Sequence, residues 1–363
     1  MKQLIKIFLL FAVILFASCK SKKAIVSSNE DKDFLSVLEQ KRGDLRIMFY
    51  NCENYFDVYN DPEKNDDDFT SDGVKYWNWK KFNTKMWHIS QVITNVGGWT
   101  PPEIVGLCEI ENHYVLEQLV KVSPLKAFGY RIIHFESMDQ RGIDVGLLYI
   151  PSKFRPITSY PIRFSFPEPD ARPTRDILYA KGIVANGDTL HVFVNHWPSR
   201  LGGMLESEPK RIFVAQLLRQ KVDSLFDLNP NANIFIMGDL NDFPTNNSLL
   251  KGLGTKTDFS KIEPKSIYNI SYYLQEVKNE FSHRFQGEGG ILDQMIVSSA
   301  LLDTNNSIYT TKDDAHIFKA DFLLVQDPNF VGYVPFRTYN GGTYLGGYSD
   351  HLPPYCDLYF RKK

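Results

Sequence analysis

The sequence predicts an α/β domain in which two mainly antiparallel sheets pack face to face with helices outside. Three observations predict it. Short runs rich in β-branched and aromatic residues, bounded by Gly, Pro, Asn and Asp, recur from residue 45 to residue 360. Helical periodicity is confined to three stretches. Strands so outnumber helices that two packed sheets are favoured over a barrel alternating strand and helix.

Taken in order, the strand candidates are 45–50, 104–108, 130–135, 145–150, 177–184, 190–194, 234–237, 292–297 and 355–360. The first helix is expected over 77–96, where Phe82, Met86, Ile89, Val92, Ile93 and Val96 repeat at three-and-four spacing along one face. A shorter one is expected over 115–122. A third is expected over 208–227, with Val214, Leu217, Leu218, Val222 and Leu225 inward, Ser207 as N-cap and Pro209 in the first turn.

The chain has 363 residues, 43% of them hydrophobic, enough for one large core or two ordinary ones. Its start reads differently. Lys2 and Lys6 precede an apolar run, 7–17, too short to span a bilayer as a helix, and small residues lead into Cys19. Residues 1–18 therefore read as a secretory leader of the lipoprotein kind. Cys19 resembles the acceptor site of bacterial lipoproteins and is the expected lipidation site, with residues 19–43 expected as a charged, serine-containing tether to a folded domain over 44–363. The expectation is an exported protein, monomeric and lipid-anchored to the cell envelope, periplasmic or outer-membrane. Without residues 1–18, which hold two lysines and no acid, 39 basic residues face 43 acidic ones. That excludes a global cationic footprint for nucleic acid, so phosphate would have to be held by a local site and a metal. Cys52, Cys108 and Cys356 lie in apolar runs as small hydrophobes, although an odd number in an exported chain leaves a Cys52–Cys108 bridge open.

Five polar clusters sit beside the strand-like runs. They are Asn51-Cys52-Glu53, Glu109-Ile110-Glu111-Asn112, Asn195-His196-Trp197-Pro198-Ser199-Arg200, Gly238-Asp239-Leu240-Asn241-Asp242 and Ser349-Asp350-His351. Each alone could merely turn the chain. Together they deliver carboxylates, amides and histidines suited to a hard divalent cation and a phosphate ester. Asp239 and Asn241, two apart in an extended segment, share a face. Arg200 offers a fork that matches phosphate oxygens. His351 titrates near working pH and would need a carboxylate on its other nitrogen, which Asp293 could supply.

In this order the clusters resemble the endonuclease/exonuclease/phosphatase superfamily over residues 45–360, and the stretches 50–57 and 337–351 resemble its exported bacterial members. The resemblance implies a four-layered α/β sandwich with its site at one edge of the two sheets. It implies metal-site positions at Asn51, Glu53, Glu109 and Asp350, and one or two Mg²⁺ or Mn²⁺ ions. It places His196 at the phosphate or leaving oxygen, Asp239 and Asn241 on water and phosphate, and Asp293 with His351 as a carboxylate–histidine couple. Arg141 and Asp144 fall where members carry groups for the substrate phosphate. Arg337, Tyr339 and Trp197 are further candidate substrate contacts. Whether Asp239 or the His351–Asp293 pair takes the water's proton stays open.

The leading expectation is an exported metal-dependent phosphodiesterase, a nuclease cutting DNA or RNA by water attack. A second keeps the chemistry but changes the substrate to a phospholipid, inositol or sugar phosphate. The acidic loop 61–76 and the tether favour this one. A third is a non-catalytic surface binding lipoprotein using aromatic side chains.

Overall fold

The computed structural model describes residues 42–168 and 172–361. The expected leader, Cys19 and the tether up to residue 41 lie outside the described residues. In chain order the strands are β1 (Leu45–Tyr55), β2 (Ile104–Ile110), β3 (Arg131–His134), β4 (Asp144–Tyr149), β5 (Phe154–Ile162), β6 (Ile177–Val184), β7 (Thr189–His196) and β8 (Ile234–Asp239). They continue with β9 (Ile267–Asn269), β10 (His283–Phe285), β11 (Glu288–Gly290), β12 (Asp293–Ser298), β13 (Ile308–Tyr309), β14 (Ala315–Ile317), β15 (Leu324–Gln326), β16 (Tyr333–Pro335), β17 (Tyr339–Asn340), β18 (Thr343–Tyr344) and β19 (Pro354–Phe360). The helices are α1 (Trp79–Gly97), α2 (His113–Lys121), α3 (Met204–Leu228) and α4 (Ile270–Glu276).

Two sheets carry the fold. The first runs β13-β19-β1-β2-β4-β3, with β14 also on β19; the second runs β5-β6-β7-β8-β12-β9. All pairings within them are antiparallel except one in each: β1 with β2, and β7 with β8. Parallel neighbours need a crossover, and helices α1 and α3 supply it. The two parallel pairs therefore end at their carboxyl ends, while their antiparallel neighbours β12 and β19 begin there.

Residue alternation builds the layers. On β8, Phe235 and Met237 enter the large core while Ile234 and Ile236 enter the smaller one; β7 and β12 split the same way. The smaller core is closed by Val214, Leu218, Val222 and Phe226 of α3. The expected four-layered sandwich is thus the observed one. Gly106 of β2 sets the contact between sheets, since a Cβ there would meet Met237 Cε at 2.7 Å. Asn78 caps α1 by accepting from the amides of Lys80 and Lys81.

Two local expectations change, and one alternative left open is closed. Helix α3 begins four residues early with Gly203 as N-cap, so Ser207 lies inside it, and Pro209 falls past the first turn. Strand β5, which is not among the candidates, carries Pro156 and Pro161 and forms at the sheet edge, where missing amides are tolerated, with a bulge between Pro156 and Thr158. Cys52 and Cys108 are buried free thiols on adjacent strands, as is Cys356, so the open Cys52–Cys108 bridge is not made.

Replacing Gly106 by Val is expected to lower stability by about 1–3 kcal/mol through overpacking against Met237. Urea denaturation measures it, and an unchanged midpoint would mean that the sheets do not meet there.

Candidate active site

The carboxyl ends of β1, β2 and β8 share an unusual backbone. Glu53, Asn54, Glu109 and Asn241 have φ of 49°, 64°, 58° and 52°. Left-handed conformations of non-glycine residues cost of order 1–3 kcal/mol each and persist where the surroundings enforce them. Here they end the ladders and swing side chains to the rim. Gly238 answers a neighbouring demand, since a Cβ there would strike the Asn195 carbonyl at 2.3 Å.

Asn51 is the hinge of the arrangement. Its amide nitrogen donates to Asp239 Oδ2 (3.1 Å) and faces Glu109 Oε1 (3.4 Å), joining the two sheets. Its oxygen accepts from the Glu53 amide (2.9 Å). Glu109 Oε2 also accepts from the Asn54 amide (2.9 Å). His196 Nε2 stands 3.9 Å from Glu109 and 3.8 Å from Asp239. Burial, helped by Arg175 and Arg141, holds its pKa well below the usual value, so it is neutral. Asn241 donates from its side chain to the Trp197 carbonyl (3.0 Å) and from its backbone to Asp239 Oδ1 (2.9 Å).

His351 Nδ1 meets Asp293 Oδ2 at 2.7 Å, and its Nε2 lies 3.9 Å from Asp239 and 4.0 Å from Asp350. Burial pulls its pKa down, but the three carboxylates outweigh burial and hold it well above the ordinary value. Asp239 is pushed up to about 7 by burial, with Asp293 and Glu109 adding to the shift and His351 opposing it. These groups open on a cleft of about 880 Å³ whose wall also carries Arg141, Arg200, Arg337, Phe243, Phe285 and His283.

The model of the endonuclease/exonuclease/phosphatase family matches residues 46–361. The chain belongs to this family. Its members are hydrolases of phosphate esters. No curated protein matches the sequence. Among solved structures it is similar to a humanized D. rerio TDP2, at 16% identity and TM-score 0.53, covering 88% of this chain and 99% of that one. It is also similar to a mannosyl-6-phosphatase of Bacteroides thetaiotaomicron, at 16% and 0.52, covering 87% and 100%. A third likeness is the human Nocturnin catalytic domain with bound sulfate, at 16% and 0.51, covering 87% and 94%. At these identities the likeness is one of fold.

Within this family member, the structure gathers Asn51, Glu109, His196, Asp239, Asn241, Asp293, His351 and Asp350 at one rim, with Arg141, Arg200 and Arg337 on the cleft wall. Other expected site residues are placed differently. Glu53 turns its carboxylate to Arg337 Nε (3.3 Å) and the amide of Thr338, so it anchors that loop instead of joining Glu109. Asn51 presents its nitrogen, not its oxygen, to the carboxylates. Asp144 is buried against His134 Nε2 (3.2 Å) and the Ser137 amide at the base of the 135–144 loop, and it is Arg141 of that loop that lines the cleft. Tyr339 packs on Trp77 and Tyr344, with its hydroxyl on the Lys75 carbonyl. Trp197 is a core residue whose indole donates to Asn195 Oδ1. Arg200 donates to the Asn241 carbonyl (2.8 Å) and lies over Phe243, so part of its fork is already used.

Sequence reasoning missed several residues. His283 stacks obliquely on His351 with ring centres 4.9 Å apart. Buried Lys85 of α1 donates to Thr338 Oγ1 and the Tyr348 carbonyl, bracing the segment that carries Arg337 and Asp350. A lysine in phase with Phe82 and Met86 on an otherwise apolar face was the visible signal.

Asp239 sets the sign of one pH effect. Its folded pKa lies above the unfolded value of roughly 3.9. Its stabilising contribution is therefore full below that value and is lost as pH rises to about 7. In chelator, wild type should lose about 2–3 kcal/mol relative to Asp239→Asn between pH 5 and pH 8. Parallel denaturation curves at both pH values would contradict the buried-carboxylate account.

Proposed function

We propose that this chain is a divalent-metal-dependent phosphodiesterase acting on nucleic acid, working outside the cytoplasm from a lipid anchor at Cys19. The observation that carries the chemistry is the bridge of one Asn51 amide to Glu109 and Asp239, with His351 and His196 both within 4 Å of Asp239. The apolar wall of Phe243 and Phe285 beside three arginines supports an ester carrying planar, aromatic groups. The solved D. rerio TDP2 complexed with single-strand DNA product supports the choice of polymer.

The donor set fits a hard cation. Carboxylates crowd the rim, and burial, with Asp293 and Glu109 adding to it, makes Asp239 resist ionising. Glu109, Asp239 and Asp350 would hold Mg²⁺ or Mn²⁺, which when bound neutralises the phosphate's charge. The chain's own groups do the rest. Asp239, which burial raises to about 7 in the metal-free chain, is held in orientation by the backbone amide of Asn241, so its carboxylate faces the cation and the attacking water together. His351 is held protonated by Asp293 and offers positive charge to the equatorial phosphate oxygens. Neutral His196 stands ready to hydrogen-bond the phosphate or the leaving oxygen.

A second reading, a sugar-phosphate monoesterase, is favoured by the likeness to the mannosyl-6-phosphatase. The deciding experiment assays single-stranded DNA, RNA, a generic phosphodiester and mannose 6-phosphate with Mg²⁺ or Mn²⁺ and with chelator. Nucleic acid is expected to turn over, and only with metal. Glu109→Gln and Asn241→Ala should each lower kcat by about 10²–10³-fold with the fold intact. Turnover of mannose 6-phosphate alone would sink the nuclease reading.

A further inference from the structure

Beside the catalytic cleft lies a second cavity of about 310 Å³ that shares Arg141, Ser199 and Leu201 with it. Its wall brings Arg141, Arg172, Arg175 and Lys210 together from three segments distant in sequence, against two acids, Asp139 and Glu206. Of the two acids Asp139 is buried and engaged, and Glu206 is exposed on the first turn of α3. Asp139 pairs with Arg175 (3.1 Å) and Arg141 (3.3 Å), and Glu206 lies against Gly203 at the start of α3. Four cations against two acids leave the lining with a positive excess.

The second observation is an unmet donor. Arg175 is only 5% exposed. One of its terminal nitrogens donates to Asp139 and the other to the Trp197 carbonyl, but its Nε has no partner among the described residues. Neighbouring Thr174, also buried, has an unpartnered hydroxyl. Buried donors left unpaired cost about 1–3 kcal/mol each, so such a pair in a polar cavity marks a place where an acceptor binds. The link to the chemistry is direct, because the Trp197 carbonyl that Arg175 holds also accepts from Asn241.

We propose that this cavity is a second anion subsite, which takes a terminal phosphate monoester of the same substrate whose phosphodiester lies in the main cleft. This rests on the phosphodiesterase reading and narrows it to substrates with a phosphorylated end. Arg172 and Lys210 supply the outer charge, with Lys210 lying over the Phe166 ring, and Arg175 and Thr174 form the buried floor whose unpartnered donors an entering anion would have to reach.

The test uses full-length protein in detergent, wild type and the Arg172→Glu/Lys210→Glu double variant, at positions on the cavity's outer side. One arm compares kcat/KM for the dinucleotide dTpdT with that for 5′-phosphorylated pdTpdT. Wild type should prefer the phosphorylated form by about tenfold, and the double variant should lose that preference. The other arm titrates chelator-treated protein with inorganic phosphate by calorimetry, reading the subsite without catalysis; the variant should bind about tenfold more weakly. If neither dinucleotide is cut but phosphate binding depends on the two residues, the subsite stands and the nuclease reading falls. Dinucleotides cut with no end preference, or phosphate bound equally by both proteins as an adventitious ion only, would overturn the subsite.

Discussion

Everything at the rim depends on two parallel strand pairs, one in each sheet. Strand direction, not chain proximity, decides which residues meet. β1 with β2 and β7 with β8 end together because crossover helices return the chain to the same edge. Antiparallel β12 and β19 start at that edge, so Asp293, which opens β12, and His351, just before β19, reach it from the opposite direction. The pairing His196↔Asp239 and Asp293↔Asp239 places three chemical groups side by side on one sheet. Asn51 and Glu109 face them from the other, and the Gly106–Met237 contact brings the sheets close enough for one amide to span the gap.

Packing carboxylates into such a space has an electrostatic consequence. Burial and mutual repulsion raise Asp239, while the same carboxylates raise His351 against the pull of burial. Both shifts favour the protonated form, so His351 keeps its positive charge at neutral pH while Asp239 titrates near it in the metal-free site. The strained φ of Glu109 and Asn241 belongs to the same economy: the fold tolerates poor backbone conformations where side chains must leave the ladder and face the cleft.

Much of this was legible in the sequence, because strand ends carry local signals. The runs before Asn51, Glu109, His196 and Asp239 are short, β-branched and followed by polar residues, so element and cluster were readable together. What was not legible is which way a side chain turns. Asn51 and Glu53, two apart on a strand, should share a face, but the left-handed Glu53 breaks the alternation and sends its carboxylate to Arg337. Tyr339 and Trp197 read as candidate substrate contacts beside charged motifs, whereas tertiary packing buries both. Arg175 and Lys85 were passed over because buried cations are rare, and only the folded chain shows the acceptors that hold them.

The most direct measurement is anomalous diffraction from crystals soaked in Mn²⁺. A peak within roughly 2.0–2.3 Å of carboxylate oxygens of Glu109 and Asp239 is expected, since hard divalent ions bind oxygen at that range. Manganese bound only elsewhere, with the Asn51 bridge left bare, would contradict the account.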